Sequence, residues 1–155
     1  MPTNDTNLFG QLSSDELPSL TNDEQMLIDT YVKIGRTLDD LPYTGDFEKL
    51  LARLRAQGMP NPDRRSVILT LQRLRKARKG GLPSVGRIAS PPPKITSDDE
   101  AQLIQLVTNE VGSLGSRDQL LYSPAFDSLV ETFNSSTGKT LSPHDAWRIV
   151  AKLAK

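Results

Sequence analysis

The chain has 155 residues and a formal net charge of zero, 19 Lys and Arg standing against 19 Asp and Glu, with one histidine. That balance excludes a histone-like polycation and a polyacidic solvating tail, and the lack of cysteine excludes disulfides, thiolate nucleophiles and zinc-thiolate sites. With 36% hydrophobic residues and no apolar run of the roughly 18–20 residues needed to cross a bilayer, the composition suits a soluble protein with no membrane partner.

The zero conceals separate blocks of charge. Residues 1–32 hold six acidic groups and no basic one, and the first twenty are rich in Thr, Asn, Ser and Pro. Residues 1–20 therefore read as a disordered acidic arm. They lack the positive residue and apolar core of a secretion signal, which makes a cytoplasmic location the expectation. A first unit, 21–79, follows, with helices predicted at roughly 22–36, 45–57 and 62–79. Its apolar positions recur at helical spacing: Leu27, Ile28, Tyr31, Val32 and Ile34, then Phe47, Leu50, Leu51 and Leu54, then Val67, Ile68, Leu71 and Leu74. Residues 80–96 carry Gly80-Gly81 and Pro91-Pro92-Pro93 and cannot be helical throughout, because proline lacks the N–H and disfavours α geometry before it. They read as a linker. A second unit, 97–155, is predicted to repeat the three helices at roughly 98–112, 124–134 and 143–154.

Three signals recur in the same order in both units. Thr21-Asn22-Asp23-Glu24 and Ser97-Asp98-Asp99-Glu100 each read as a capping box, a hydroxyl accepting from the amide three residues on and a Glu reaching back. Leu41 to Phe47 matches Leu120 to Phe126, and the aromatics at Tyr43 and Phe47, like those at Tyr122 and Phe126, suggest a staple within each unit across a Thr or Ser cap. Asn61-Pro62 and Ser142-Pro143 each place a capping side chain before a proline at the first helical position. The fold class is thus all-α, two similar three-helix units in tandem with a Pro/Gly-rich linker and an acidic arm.

The inventory for catalysis is poor. A triad would need the single histidine, His144, yet Ser142-Pro143-His144-Asp145 is accounted for as a helix start with His144 exposed in its first turn. Gly138-Lys139-Thr140 ends like a phosphate-binding loop, but Phe133 stands where that loop requires glycine, so the stretch reads as a polar loop. Asp39-Asp40 admits a magnesium site, although nothing else points to a phosphate substrate. The expectation is a protein that is not an enzyme and that has no metal, cofactor or small-molecule substrate.

The basic helix is the most informative feature. From Arg64 to Lys94 there are nine basic residues and no acidic one. At 100° per residue, Arg65, Gln72, Arg73, Arg75, Lys76 and Lys79 fan over one side of the third helix, with Val67, Leu71 and Leu74 opposite. Arg148, Lys152 and Lys155 repeat this more weakly in the last helix. In layout the units resemble helix-turn-helix domains of the Myb or homeodomain type, whose third helix enters the major groove. Trp147 is the sole tryptophan, so the regular Myb spacing is missing. The resemblance implies a nucleic-acid site at Arg64, Arg65, Gln72, Arg73, Arg75, Lys76, Lys79, Arg148 and Lys152. Against it stand a purely solvating face and an internal mask, the acidic arm folding over the basic patch. The leading expectation is a protein-interaction or scaffold module, which requires an exposed apolar patch larger than a few hundred Å²; nucleic-acid binding through the basic helix is the alternative.

Overall fold

Helix α1, Asn22–Ile34, starts where the sequence places a complete capping box: Thr21 Oγ1 accepts from the Glu24 amide at 3.0 Å and Glu24 Oε1 accepts from the Thr21 amide at 2.9 Å. It ends at Gly35, whose φ of 75° turns the chain out. A 3₁₀ segment, Leu38–Asp40, leads to α2, Gly45–Ala56, capped by Thr44, and α3 spans Arg64–Ala77. The second half follows the same order: α4, Ser97–Val111; a longer 3₁₀ segment, Leu114–Leu120; α5, Pro124–Thr137, capped by Ser123; and α6, Pro143–Leu153, capped by Ser142. This is a computed structural model, and it describes residues 20–77, 82–86 and 91–155. The described residues form an all-helical protein without strands, and none of its helices is long and apolar enough to cross a membrane. Most of the arm, Lys79 and parts of the linker lie outside the described residues.

Several boundaries differ from those expected. Helix α3 begins at Arg64 rather than at Pro62, because Asp63 Oδ2 accepts from the Ser66 amide at 2.9 Å and so acts as the cap, while Asn61 holds a left-handed φ of 48°. Helix α4 is capped by Thr96, one residue before Ser97, and only the forward bond from Asp99 forms. The side chain at the third helical position is Asp99, one methylene shorter than the Glu that closes the box in α1. Helix α5 runs through Thr137, where a loop was expected, before Gly138 (φ 74°) closes it.

The buried side chains of both halves merge into one core. Residues 79 positions apart are buried together in it: Leu41 and Leu120, Phe47 and Phe126, Leu50 and Leu129, Ile68 and Trp147, Leu71 and Val150. Each such side chain contributes about 1.5–3 kcal/mol on burial. Helix α6 packs on the first 3₁₀ segment and α3 on the second, so the last helix of each half reaches across to the other. The stretch 82–86 is non-helical and is packed rather than free: Leu82 and Val85 lie against the core. A Cβ at Gly86 (φ 53°) would stand 1.7 Å from the Gly35 carbonyl oxygen, so only glycine fits.

Candidate functional site

Tyr43 and Tyr122 precede the capped helices α2 and α5 with positive φ, 66° and 54°. Such geometry costs a non-glycine residue of order 1–3 kcal/mol and persists only where its surroundings hold it. Here the turn aims each backbone N–H at the other tyrosine. The Tyr43 amide donates to the Tyr122 hydroxyl at 2.5 Å, and the Tyr122 amide donates to the Tyr43 hydroxyl at 2.6 Å. Their ring centroids are 4.3 Å apart, and the stacking is exchanged as well: Tyr43 on Phe126 at 5.6 Å, Tyr122 on Phe47 at 5.3 Å. The staple expected within each half is therefore made between halves, because the left-handed turn swings each ring outward. Burial pushes both phenols up, Tyr122 to about 12 and Tyr43 further.

A second exchange, of charge, flanks the first. Lys76 of α3 pairs with Asp118 of the second 3₁₀ segment, and Lys155, just past α6, pairs with Asp39 of the first at 3.0 Å. Both partners stand 79 residues from their counterparts. Asp39 also receives Arg75 at 3.1 Å. Burial pushes its carboxyl up, but the bonds from Lys155 and Arg75 outweigh this and leave it below the ordinary value. Asp40, buried, collects two guanidinium groups and an imidazole: Arg36 at 3.0 Å, Arg148 at 3.1 Å and His144 Nε2 at 2.9 Å. His144 Nε2 also lies 3.2 Å from the Asp40 carbonyl. Both neighbours are acceptors, so that nitrogen carries the proton. His144 is not the exposed first-turn residue expected of it, because α6 turns that face onto the first 3₁₀ segment.

The residues proposed from the basic helix are distributed as follows. Arg64 makes a two-pronged pair with Glu48 at 2.8 and 2.7 Å. Arg65 donates to the Leu121 carbonyl at 2.6 Å, Arg73 to Glu24 at 2.6 Å, and Arg75 Nη2 to Gln72 Oε1 at 2.7 Å. Gln72 is only 2% exposed and belongs to the interface between halves. Arg148 has a side chain 10% exposed, held by Asp40 and 3.6 Å from Asp145. Lys152 is exposed, and Lys79 lies outside the described residues. The basic side of α3 thus faces carboxylates and a carbonyl of its own chain. Asp39 and Asp40 meet cations of α3 and α6 while Glu48 meets Arg64, so these carboxylates do not converge on one point. Lys139, of the Gly-Lys-Thr run, lies 3.7 Å from Asp99.

The broad apolar patch expected of a scaffold is not on the surface: among the described residues Val32, 44% exposed, is the only large hydrophobic so placed. Apolar surface is recessed instead. A groove of about 330 Å³ runs between α1 and the start of α3, with Leu27, Met59 and Val67 along it and Asp23, Glu24 and Arg73 at its edge. Asp118, Arg36 and the reciprocal bonding of the tyrosines were not singled out from sequence. For Asp118 and the tyrosines the signal available was the 79-residue spacing that relates Asp39 to Asp118 and Lys76 to Lys155; Arg36 had none, since Gly115 stands at that spacing from it. Comparison of the chain with protein-family models, with curated proteins and with solved structures gives no match.

Proposed function

We propose that the chain is a non-enzymatic protein-interaction or scaffold module, built as two similar three-helix units, 21–79 and 97–155, in tandem and joined through 80–96. The two-unit reading is supported by the exchanged tyrosines and by the matching Lys–Asp pairs. The observation that carries the functional reading is the groove between α1 and α3: apolar at Leu27, Met59 and Val67, polar at Asn61, Asp63, Ser66 and Thr70, and bordered by the Glu24–Arg73 ion pair. A short peptide with an apolar anchor and a polar flank suits such a surface, where a recessed apolar contact supplies most of the affinity. The cations that suggested nucleic acid are largely engaged by the chain's own acids, which lowers the free positive field available to a phosphate backbone.

Selection of displayed peptides against the full chain, followed by titration of those recovered, tests the reading. Met59→Glu and Ser66→Arg should each weaken binding by at least about tenfold, since both intrude on the groove. Recovered peptides indifferent to both changes would remove the groove from consideration. Oligonucleotides that bind at low salt, dissociate steeply as salt rises and depend on Arg73 and Lys76 would overturn the protein-partner reading in favour of nucleic acid.

A further inference from the structure

The groove between α1 and α3 differs in sign from the cavities at the two crossover contacts, where α6 and α3 reach the opposite half. At α6 the cavity wall carries Arg148, Lys152 and Lys155 against Asp39 and Asp40, and at α3 it carries Arg73 and Lys76 against Asp118. The groove reverses this balance, with Asp23, Glu24 and Asp63 against Arg73. Glu24 and Arg73 hold each other at 2.6 Å, which leaves Asp23 and Asp63 as its uncompensated charges. Both are exposed, and among the described residues neither belongs to an ion pair. Arg64 and Arg65, next to Asp63 in sequence, are turned to Glu48 and to the Leu121 carbonyl. Asp23 lies in the first turn of α1 and Asp63 caps α3, places that favour the ionised carboxylate. The bond from the Ser66 amide holds the Asp63 carboxyl below its ordinary value.

The apolar part of the groove is narrower than its lining suggests. Leu27 and Val67, 3% and 6% exposed, form a buried floor, so the contact open to a ligand centres on half-buried Met59 and exposed Pro60. Apolar burial is non-directional, and a contact centred on two side chains admits many residues. Selection of a partner then falls to the charges at the rim. We propose that the groove takes a cationic peptide segment, an apolar residue lying over Met59 and Pro60 with a flanking Arg or Lys paired to Asp23 and Asp63. Such side chains suit both parts of the surface, because the aliphatic stem covers apolar atoms while the charged head reaches a carboxylate. An acidic segment meets two like charges there and is rejected. The inference rests on the groove as the binding site and adds the sign of its partner.

Displayed random peptides are selected against the full chain, and those at the groove are recognised by loss of binding to Ser66→Trp, which fills the groove without changing its charge. The expected result is that these peptides carry a net positive charge. Asp23→Asn and Asp63→Asn should each weaken a representative one by about two- to fivefold, as exposed pairs do, and by more when combined. Asn also caps helices, so Asp63→Asn keeps the start of α3, which an unchanged urea midpoint checks. Glu110→Gln, on α4 and outside the groove, should leave the affinity unchanged. Groove peptides of neutral or negative charge, or cationic ones indifferent to both Asn variants, would overturn the cationic partner while leaving the groove as the site. Equal losses from Glu110→Gln would overturn it as well, by making the attraction general to the surface. A selection that yields no peptide sensitive to Ser66→Trp would overturn the groove and its sign together.

Discussion

The two crossover contacts share one plan and differ in how completely it is carried out. Where α6 meets the first 3₁₀ segment, Asp39 and Asp40 draw in Arg36, Arg75, His144, Arg148 and Lys155, and Pro92 lies against the result. Where α3 meets the second, Gln119 stands 79 residues after Asp40 and Leu69 stands 79 before Arg148; among the described residues Asp118 pairs with Lys76 alone, and polar atoms remain unmatched. The two surfaces thus differ in what they hold. One is a charge-dense clasp, and the other is a looser contact with chemistry to spare.

The sharpest way to break the comparison is Asp40→Asn. Removing one buried partner leaves Arg36, Arg148 and His144 facing each other, and stability should fall by about 3–5 kcal/mol in urea unfolding. Gln119→Ala, at the corresponding exposed position, should change it by less than about 0.5 kcal/mol. Similar losses at both positions would erase the distinction between clasp and loose contact.

Tyr43→Phe comes next. It leaves the Tyr122 amide without its acceptor and should cost about 1–3 kcal/mol, with Tyr122→Phe close to it because the exchange is reciprocal. The same pair sets an alkaline limit. Burial holds both phenols protonated above their ordinary value of 10.0, Tyr122 to about 12, so the folded protein keeps protons that the unfolded chain releases. Stability should be level below pH 10 and fall between about pH 10 and 12, with a flatter fall in the Tyr43→Phe, Tyr122→Phe double variant. At the acid end, Asp39 is held below its ordinary 3.8 and titrates in the opposite sense. Its contribution is present above that value and is lost as pH drops through the folded-state value, a loss that Asp39→Asn should abolish.

The smallest effects sharpen the picture on the looser side. Gln72→Met removes the unpaired buried Nε2 together with the bond that Oε1 accepts from Arg75, and at nearly constant volume should change stability by less than about 1 kcal/mol. Arg64→Ala breaks only an exposed pair with Glu48 and should cost about 0.2–1 kcal/mol in the same assay.

Helix order, most caps and nearly the whole core were legible in the sequence, because they depend on local hydrogen bonding and on a 3.6-residue period. Thr21, Thr44, Ser123 and Ser142 act where their types and spacing indicate. The start of α3 was misread because Asn61-Pro62 imitates a helix entry, while the operative cap, Asp63, lies between that proline and Arg64. The site was less legible for a different reason. A cationic stripe on α3 looks the same whether it faces solvent, a phosphate or an acidic 3₁₀ segment folded from forty residues away; Lys76 and Asp118 are 42 apart in sequence. Charge pairing over that range depends on how the halves meet, which local pattern does not encode. The exception is the aromatic pair: Tyr43 and Tyr122 recur in register, and a repeated aromatic at a helix entry carried information about contact between halves as well as within them.

The fit of Gly86 against Gly35 bears on how that contact assembles. With Leu82 and Val85 packed on the core and Gly86 held against the Gly35 carbonyl, the connection from α3 to α4 is anchored part-way along its length. An anchored connection raises the effective concentration of one half at the surface of the other and lowers the entropy of closing the loop between them. The glycine thereby favours pairing of halves within one molecule over exchange between two.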